Sequence, residues 1–379
     1  MASGESEGYT GRWTAGILLA SVLLVGCNRP PDEYRVQGQS MAPTLIGPAK
    51  VLTCHHCFAT TMVASDSGTG FATCWNCGRR SESSPIYKAR GGDRVVIHPL
   101  GKIKIEPGEV VAVRHQGKLH VKRVLAGPGD VVEDRDGWLT INGRSPDQEW
   151  SGVKRPLVPV HFGFDQRWKR TRDAEGIAWW VYQHESVYRP GSPSAVMDDY
   201  PTNGDLARKM HPVSDFALDL EVGFPDGSHT RQAFEIGCLI WTPRGVYGYE
   251  ERGRLAADEY QINRRILTYE STPQDDPPEF MADPDATQDP IAKLVTAETP
   301  LAIRLDGEGS RITFARIQRP VEYRLRPHDP LAAYPMRLRD DQYFVAGDNY
   351  PISVDSRDWG PIQRDQIQGI VRPRFGGSF

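Results

Sequence analysis

Several things are scarce in this sequence, and each scarcity narrows the reading. There is no excess of basic residues: the formal net charge of the 379 residues is -4, which argues against nucleic acid as a partner. Long runs with helical periodicity are few, and Ala256 to Leu267 is the best candidate for a short helix. Only one apolar run is long enough to serve as an anchor, Trp13 to Cys27. No internal repeat stands out beyond a loose recurrence of strand-like patterns. Glycine and proline, by contrast, are plentiful at 37 and 30 residues, favouring strands, turns and loops. A hydrophobic content of 39% is enough for a buried core, and the length suffices for two or three domains.

The apolar run is about fifteen residues, short for crossing a ~30 Å hydrocarbon core and suited to the apolar region of an export signal. Arg12 precedes it, while Glu5 and Glu7 weaken the basic character of the flank. It ends in Leu24-Val25-Gly26-Cys27, similar to the lipobox of bacterial lipoproteins. That similarity implies lipidation at Cys27, with an uncleaved anchor as the alternative. Both readings attach the chain to a membrane and put Ser40 close to its outer face.

Cys54-His55-His56-Cys57 and Cys74-Trp75-Asn76-Cys77 form two CxxC knuckles, sixteen residues apart. This is zinc-ribbon spacing: each knuckle turns two thiolates toward one ion, and two knuckles complete a tetrahedron. The intervening Ser, Thr and Gly supply little core, so a structural zinc would be the staple. Outside the cytoplasm the same thiols have disulfides as a competing fate. His55 and His56 are spare ligands. Cys238, in the apolar run Ile236 to Ile240, reads as a small buried hydrophobe.

Gly92 to Ile97 and Pro107 to Val113 each read as a turn feeding a buried strand. Next comes His120-Val121-Lys122-Arg123-Val124-Leu125, closed by Gly127-Pro128-Gly129-Asp130. A lysine in such a run is either an exposed strand residue or, turned inward, a base. Burial favours its neutral form, which can take a proton from a serine hydroxyl. Gly137 to Gly143 reads as one edge of a hairpin.

From Trp150 to Pro330 the character changes. Trp168, Trp179, Trp180, Tyr182 and Tyr188 suggest an aromatic cluster. Phe216, Leu218, Leu220 and Val222 alternate along a strand, and similar patterns recur at Leu301 to Leu305 and Ile312 to Ile317. Thr272 to Pro290, rich in Pro and Asp, reads as a linker or long loop. The expectation is an inserted antiparallel β-sandwich.

Two stretches remain. Gly38-Gln39-Ser40-Met41-Ala42-Pro43-Thr44-Leu45 places a serine ahead of a rigid proline, which reads as a held nucleophile or as an ordinary turn. Tyr343 to Gly360 runs from an apolar strand into a loop carrying Asp348, Ser353, Asp355 and Arg357, the last two spaced to pair.

In this order the segments resemble type I signal peptidases, membrane-bound Ser-Lys proteases that remove leader peptides from exported proteins. The resemblance rests on Gly38 to Leu45, Gly92 to Val96, Val121 to Val124 with Gly127 to Asp130, and Gly347-Asp348-Asn349 with Ser353 to Arg357 and Trp359-Gly360. It implies Ser40 as nucleophile, Lys122 as general base, and Ser353 as the hydroxyl orienting the lysine. It also implies Asp348–Arg123 and Asp355–Arg357 as ion pairs holding the loops, and the Ser40 N–H in the oxyanion hole. Some members carry a hydroxyl two residues before the nucleophile, where this chain has Gly38, which leaves the second oxyanion donor in doubt. The substrates implied are signal peptides with small residues at -3 and -1, and no cofactor is implied for catalysis. Met41, Leu45 and Ile46 read either as membrane-surface contacts or as core.

The expected fold is mainly β. It is a signal-peptidase-type catalytic domain split into residues 28–149 and 331–379, with an anchor at 1–27. A zinc-ribbon-like insert occupies about 51–80 and a β-sandwich-like insert 150–330. Two competing readings are a Ser-Lys enzyme acting on itself or on few substrates, and an idle tethered protein acting through its inserts.

Overall fold

The computed structural model describes residues 33–66, 71–82, 88–101, 103–150, 153–203, 206–223, 232–242, 245–255, 264–270, 290–306 and 311–374. The anchor run, Cys27 and most of Thr272 to Pro290 lie outside them. Among the described residues, no helix is long and apolar enough to cross a membrane.

The fold is mainly β. Its central antiparallel sheet has seven strands in the spatial order Glu33–Arg35, Arg94–Pro99, Ile367–Pro373, Val110–His115, Lys118–Ala126, Gln342–Ala346 and Ile362–Gln363. The hairpin in its middle is fixed by a two-residue turn. Gln116 and Gly117 both have positive φ, 48° and 75°, the geometry that matches the twist of paired strands. That turn sets the register, placing Lys122 opposite Val111 and Arg123 opposite Val110. A slip of one residue would exchange the faces to which Lys122 and Arg123 point.

Successive strand residues point to opposite faces, and the cores divide accordingly except at Leu125, where a register shift against Gln342–Ala346 leaves Leu125 and Ala126 in one cluster. Val124 and Val111 pack with Val345, Ile370 and Trp359. Leu125 and Ala126 pack with Trp150, Phe344 and Tyr350. Met41 and Leu45 are 1% exposed and join Val95, Val110 and Ala112 in a third cluster, while Ile46 is buried beside Ala42 and Ala49. Membrane contact by these three residues is therefore overturned: each side chain is spent on core.

The zinc-ribbon-like insert is built from Ala49–Thr53 paired with Thr60–Ala64 and Lys88–Arg90, plus the short hairpin Phe71–Thr73 and Arg80–Glu82. One knuckle caps each hairpin.

The sandwich has a four-stranded sheet, Leu157–Phe162, Arg311–Pro320, Ala217–Gly223 and Arg264–Glu270, facing a five-stranded one, Trp168–Arg172, Ala178–Tyr182, Leu301–Asp306, Gln232–Thr242 and Gly245–Leu255. Phe216, Leu218, Leu220 and Val222 all point into the shared core with Ile236, Cys238 and Ile303. Each such side chain contributes about 1.5–3 kcal/mol when fully buried. Leu157 pairs with Pro320, so the chain enters and leaves the sandwich at one place and the central sheet is not disrupted.

Two expectations fail in detail. Arg264–Glu270 is a strand paired with Ala217–Gly223, so the C-terminal part of the helix expected over Ala256 to Leu267 is not helical; sheet pairing overrides local propensity. The aromatic cluster is also divided. Trp168 and Tyr182 lie in the main core, Trp179 in a second one, and Tyr188 is exposed.

Candidate active site

Lys118–Ala126 carries two basic residues of the site, Lys122 and Arg123. Lys122 is 2% exposed. Its Nζ donates to Ser353 Oγ at 3.0 Å and stands 6.0 Å from the Trp359 ring centroid. Burial pulls its pKa down to about 8; the Asp355 carboxylate opposes that shift and the Arg357 guanidinium adds to it. Near neutral pH such an amine can exchange a proton with a hydroxyl.

Arg123 serves the opposite face. Its Nε and Nη2 grip the two Asp348 oxygens at 2.8 and 2.7 Å, and Nη1 donates to Gly108 O at 2.6 Å. Nη2 also donates to Thr44 Oγ1 at 3.1 Å, and the Thr44 hydroxyl itself bonds Asp348. Asp348 thus ties the strand to the Ser40 turn.

The loop after Gln342–Ala346 is held by a second buried pair. Arg357 Nε and Nη2 donate to Asp355 at 2.8 and 2.7 Å. Burial alone would push the Asp355 carboxyl up, but Arg357, Lys122 and the Gly347 N–H carry it down to about 2. Asp355 also caps the single turn Ser356–Trp359 in a reciprocal capping box with Asp358. Arg326 Nη1 donates to Ser353 O at 2.6 Å, fixing the serine's backbone.

Gly347 lies between Ser353 and the Ser40 turn. A Cβ there would lie 2.3 Å from both Ser353 Oγ and Ser40 O, so only glycine lets the Ser40 turn approach Ser353 this closely. Asn349 N–H donates to Ser40 O at 3.0 Å. Ser40 is half-buried, and its Oγ makes no hydrogen bond among the described residues. At Gly38 an added Cβ would meet nothing within 4 Å.

The expected residues Ser40, Lys122, Ser353, Arg123, Asp348, Asp355 and Arg357 therefore converge on one region. Missed from sequence were Thr44, Tyr323 (which donates to Asp348 Oδ1 at 2.7 Å), Arg326, Tyr200 and Asn203. None has a spacing that would have marked it.

The four knuckle cysteines also converge. Their sulfurs lie within 4.8 Å of one another, with Cys54–Cys77 and Cys57–Cys74 each at 3.6 Å. Zn–S bonds of ~2.3 Å in a tetrahedron put sulfurs roughly 3.8 Å apart, so the donor set fits a metal of that kind. His55 and His56 are exposed and stand outside the cluster.

A family model described as "Signal peptidase, peptidase S26" matches residues 11–156 and 307–375. The match spans more than half of the chain, and the gap coincides with most of the sandwich. The chain belongs to the signal peptidase family, peptidase S26. Membership supports signal peptidase activity in general, with signal peptides as the class of substrate. No curated protein matches the chain in a sequence comparison.

Proposed function

We propose that this chain is a membrane-anchored serine endopeptidase that removes N-terminal signal peptides from exported preproteins with a Ser40–Lys122 dyad. The observation that carries the reading is a buried Lys122 bonded to Ser353 at 3.0 Å, with Ser40 tied to the same loop through Gly347 and Asn349. In this mechanism neutral Lys122 Nζ takes the Ser40 Oγ proton as Oγ attacks the scissile carbonyl. The oxyanion faces the Ser40 N–H. The resulting ammonium gives its proton to the leaving amine, and the leader remains as an ester on Ser40. Lys122 then takes a proton from the water that attacks the ester, and gives it to Ser40 Oγ as the leader's new carboxyl group departs, restoring the neutral amine and the free hydroxyl. Ser353 keeps the amine aimed throughout. The pairs Arg123–Asp348 and Asp355–Arg357 hold the two loops in register.

The purified chain should cleave a peptide with alanine at -3 and -1. Ser40→Ala and Lys122→Ala should each reduce this to background. Undiminished cleavage by Ser40→Ala would remove the nucleophile from the account.

The remaining assignments belong to the same proposal. Residues 1–27 would form the anchor, lipidated at Cys27 or uncleaved, with the catalytic parts 28–149 and 331–379 on the extracytoplasmic side at the lipid surface. Residues 150–330 would be the inserted domain. Cys54, Cys57, Cys74 and Cys77 would hold one structural zinc, closed to chemistry because all four positions are protein ligands. Metal analysis of the folded protein should find about one zinc per chain; two disulfides and no metal would refute this.

A further inference from the structure

The sandwich touches the catalytic loops through a segment that belongs to none of its strands. Residues 198–203 leave the sheets and close in a short 3-10 turn, Pro201–Asn203. Tyr200 OH donates to Asp348 O at 2.8 Å. Asp198, fully buried, accepts from the Tyr350 hydroxyl, and Arg208 Nη1 reaches both Asp198 Oδ1 at 3.0 Å and Tyr350 OH at 3.2 Å.

Asn203 makes the most informative contact. Its Nδ2 donates to Asn349 Oδ1 at 2.7 Å, and Asn349 Nδ2 donates back to Asn203 Oδ1 at 2.8 Å. The same Asn349 Nδ2 donates to Gln39 O at 3.1 Å, while its backbone N–H holds Ser40 O at 3.0 Å. Asn349 is 0% exposed. A side-chain amide can sit in either of two orientations, but only this one lets Asn349 donate to the Gln39 carbonyl, as a second donor beside the Ala42 N–H at 3.0 Å. Asn203 matches that orientation: its Oδ1, which also accepts from Thr202 Oγ1 at 3.3 Å, takes the Asn349 amide proton, and its Nδ2 supplies the donor to Asn349 Oδ1.

We propose that Asn203, in the inserted domain, is a positioning residue for the nucleophile: it fixes the Asn349 side-chain amide, which holds the Gln39 carbonyl just before Ser40, while the backbone N–H of the same Asn349 holds the Ser40 carbonyl just after it. This rests on the reading of Ser40 as nucleophile. The family match does not cover this segment, so the inserted domain acts on the catalytic turn with residues of its own. Without Asn203 the buried Asn349 amide loses the partner of its Oδ1 and one of the two acceptors of its Nδ2, which leaves a buried carbonyl oxygen unpaired and its hold on Gln39 O weaker. Misplacement of a reacting atom lowers the rate of the chemical step more than it lowers substrate binding.

The test uses the full chain carrying Asn203→Ala and the peptide with alanine at -3 and -1. The expected result is a fall of kcat by about tenfold or more, with KM within about twofold of wild type. Amide hydrogen exchange should quicken at residues 39–45 while the sandwich strands stay protected. Unchanged kcat, or a loss accompanied by fast exchange throughout the sandwich, would overturn the proposal. Ser40→Ala measured beside it separates the two readings. If Ser40→Ala is inactive and Asn203→Ala is normal, the positioning role alone fails. If Ser40→Ala cleaves, the nucleophile assignment fails with it.

Discussion

Asp355 shows how much of this site depends on single charges. It and Arg357 are fully buried, so each is tolerated only because the other is present. Asp355→Ala should cost about 3–5 kcal/mol, read by denaturant unfolding at pH 7; a loss below about 1 kcal/mol would mean that the pair behaves like a surface one. The sign of the pH dependence follows from the lowered carboxyl. Its contribution is complete above the ordinary carboxylate range and is lost as pH falls through about 2. Lys122 is perturbed in the opposite sense for its type of group: burial favours the uncharged amine. At this scale the residues that the motifs marked are the ones the fold brings together. Ser40, Lys122, Ser353 and the two ion pairs were all named beforehand. Thr44, Tyr323, Tyr200 and Asn203 were not, because a polar residue in a loop acquires its partner only when distant segments meet. Asn203 and Asn349 stand 146 positions apart.

Among the elements, the strands were legible and their pairing was not. Alternation at Leu218, Leu220 and Val222 marked a strand with one buried face, and all three are in the sandwich core. Nothing in that pattern says that its neighbours are Arg311–Pro320 and Arg264–Glu270. The latter was read as part of a helix, since a short apolar run fits either period. The knuckles were legible because metal-ligand spacing is strict. Their mounting was not: Asn76, buried between Trp75 and Cys77, exchanges two 2.9 Å hydrogen bonds with the Phe162 backbone. The same turn that presents Cys74 and Cys77 therefore pins the ribbon to an edge strand of the sandwich. If zinc holds the knuckle, its removal by a chelator should release this contact, and the metal analysis proposed above gains a structural readout in the exchange of the Phe162 amide.

Among the described residues, a central sheet carries two further β units that pack back onto it. The sandwich begins and ends side by side at Leu157 and Pro320, which explains how so long a stretch can interrupt the match to the signal peptidase family without disturbing it. Contacts from Tyr200 and Asn203 to the loop at Gly347 to Tyr350 make the addition part of the site's support. A reading in which the inserts alone carry the function leaves the buried lysine unexplained, since an unneeded charge at that position is costly. The most direct test of the Ser40–Lys122 dyad is therefore kcat/KM for the alanine-bearing peptide as a function of pH, in wild type and in Lys122→Ala. Only the neutral amine can accept the Ser40 proton, so wild-type cleavage should be lost as pH falls through about 8, while Lys122→Ala stays at background at every pH. Cleavage by Lys122→Ala equal to wild type, with the same pH profile, would contradict the dyad.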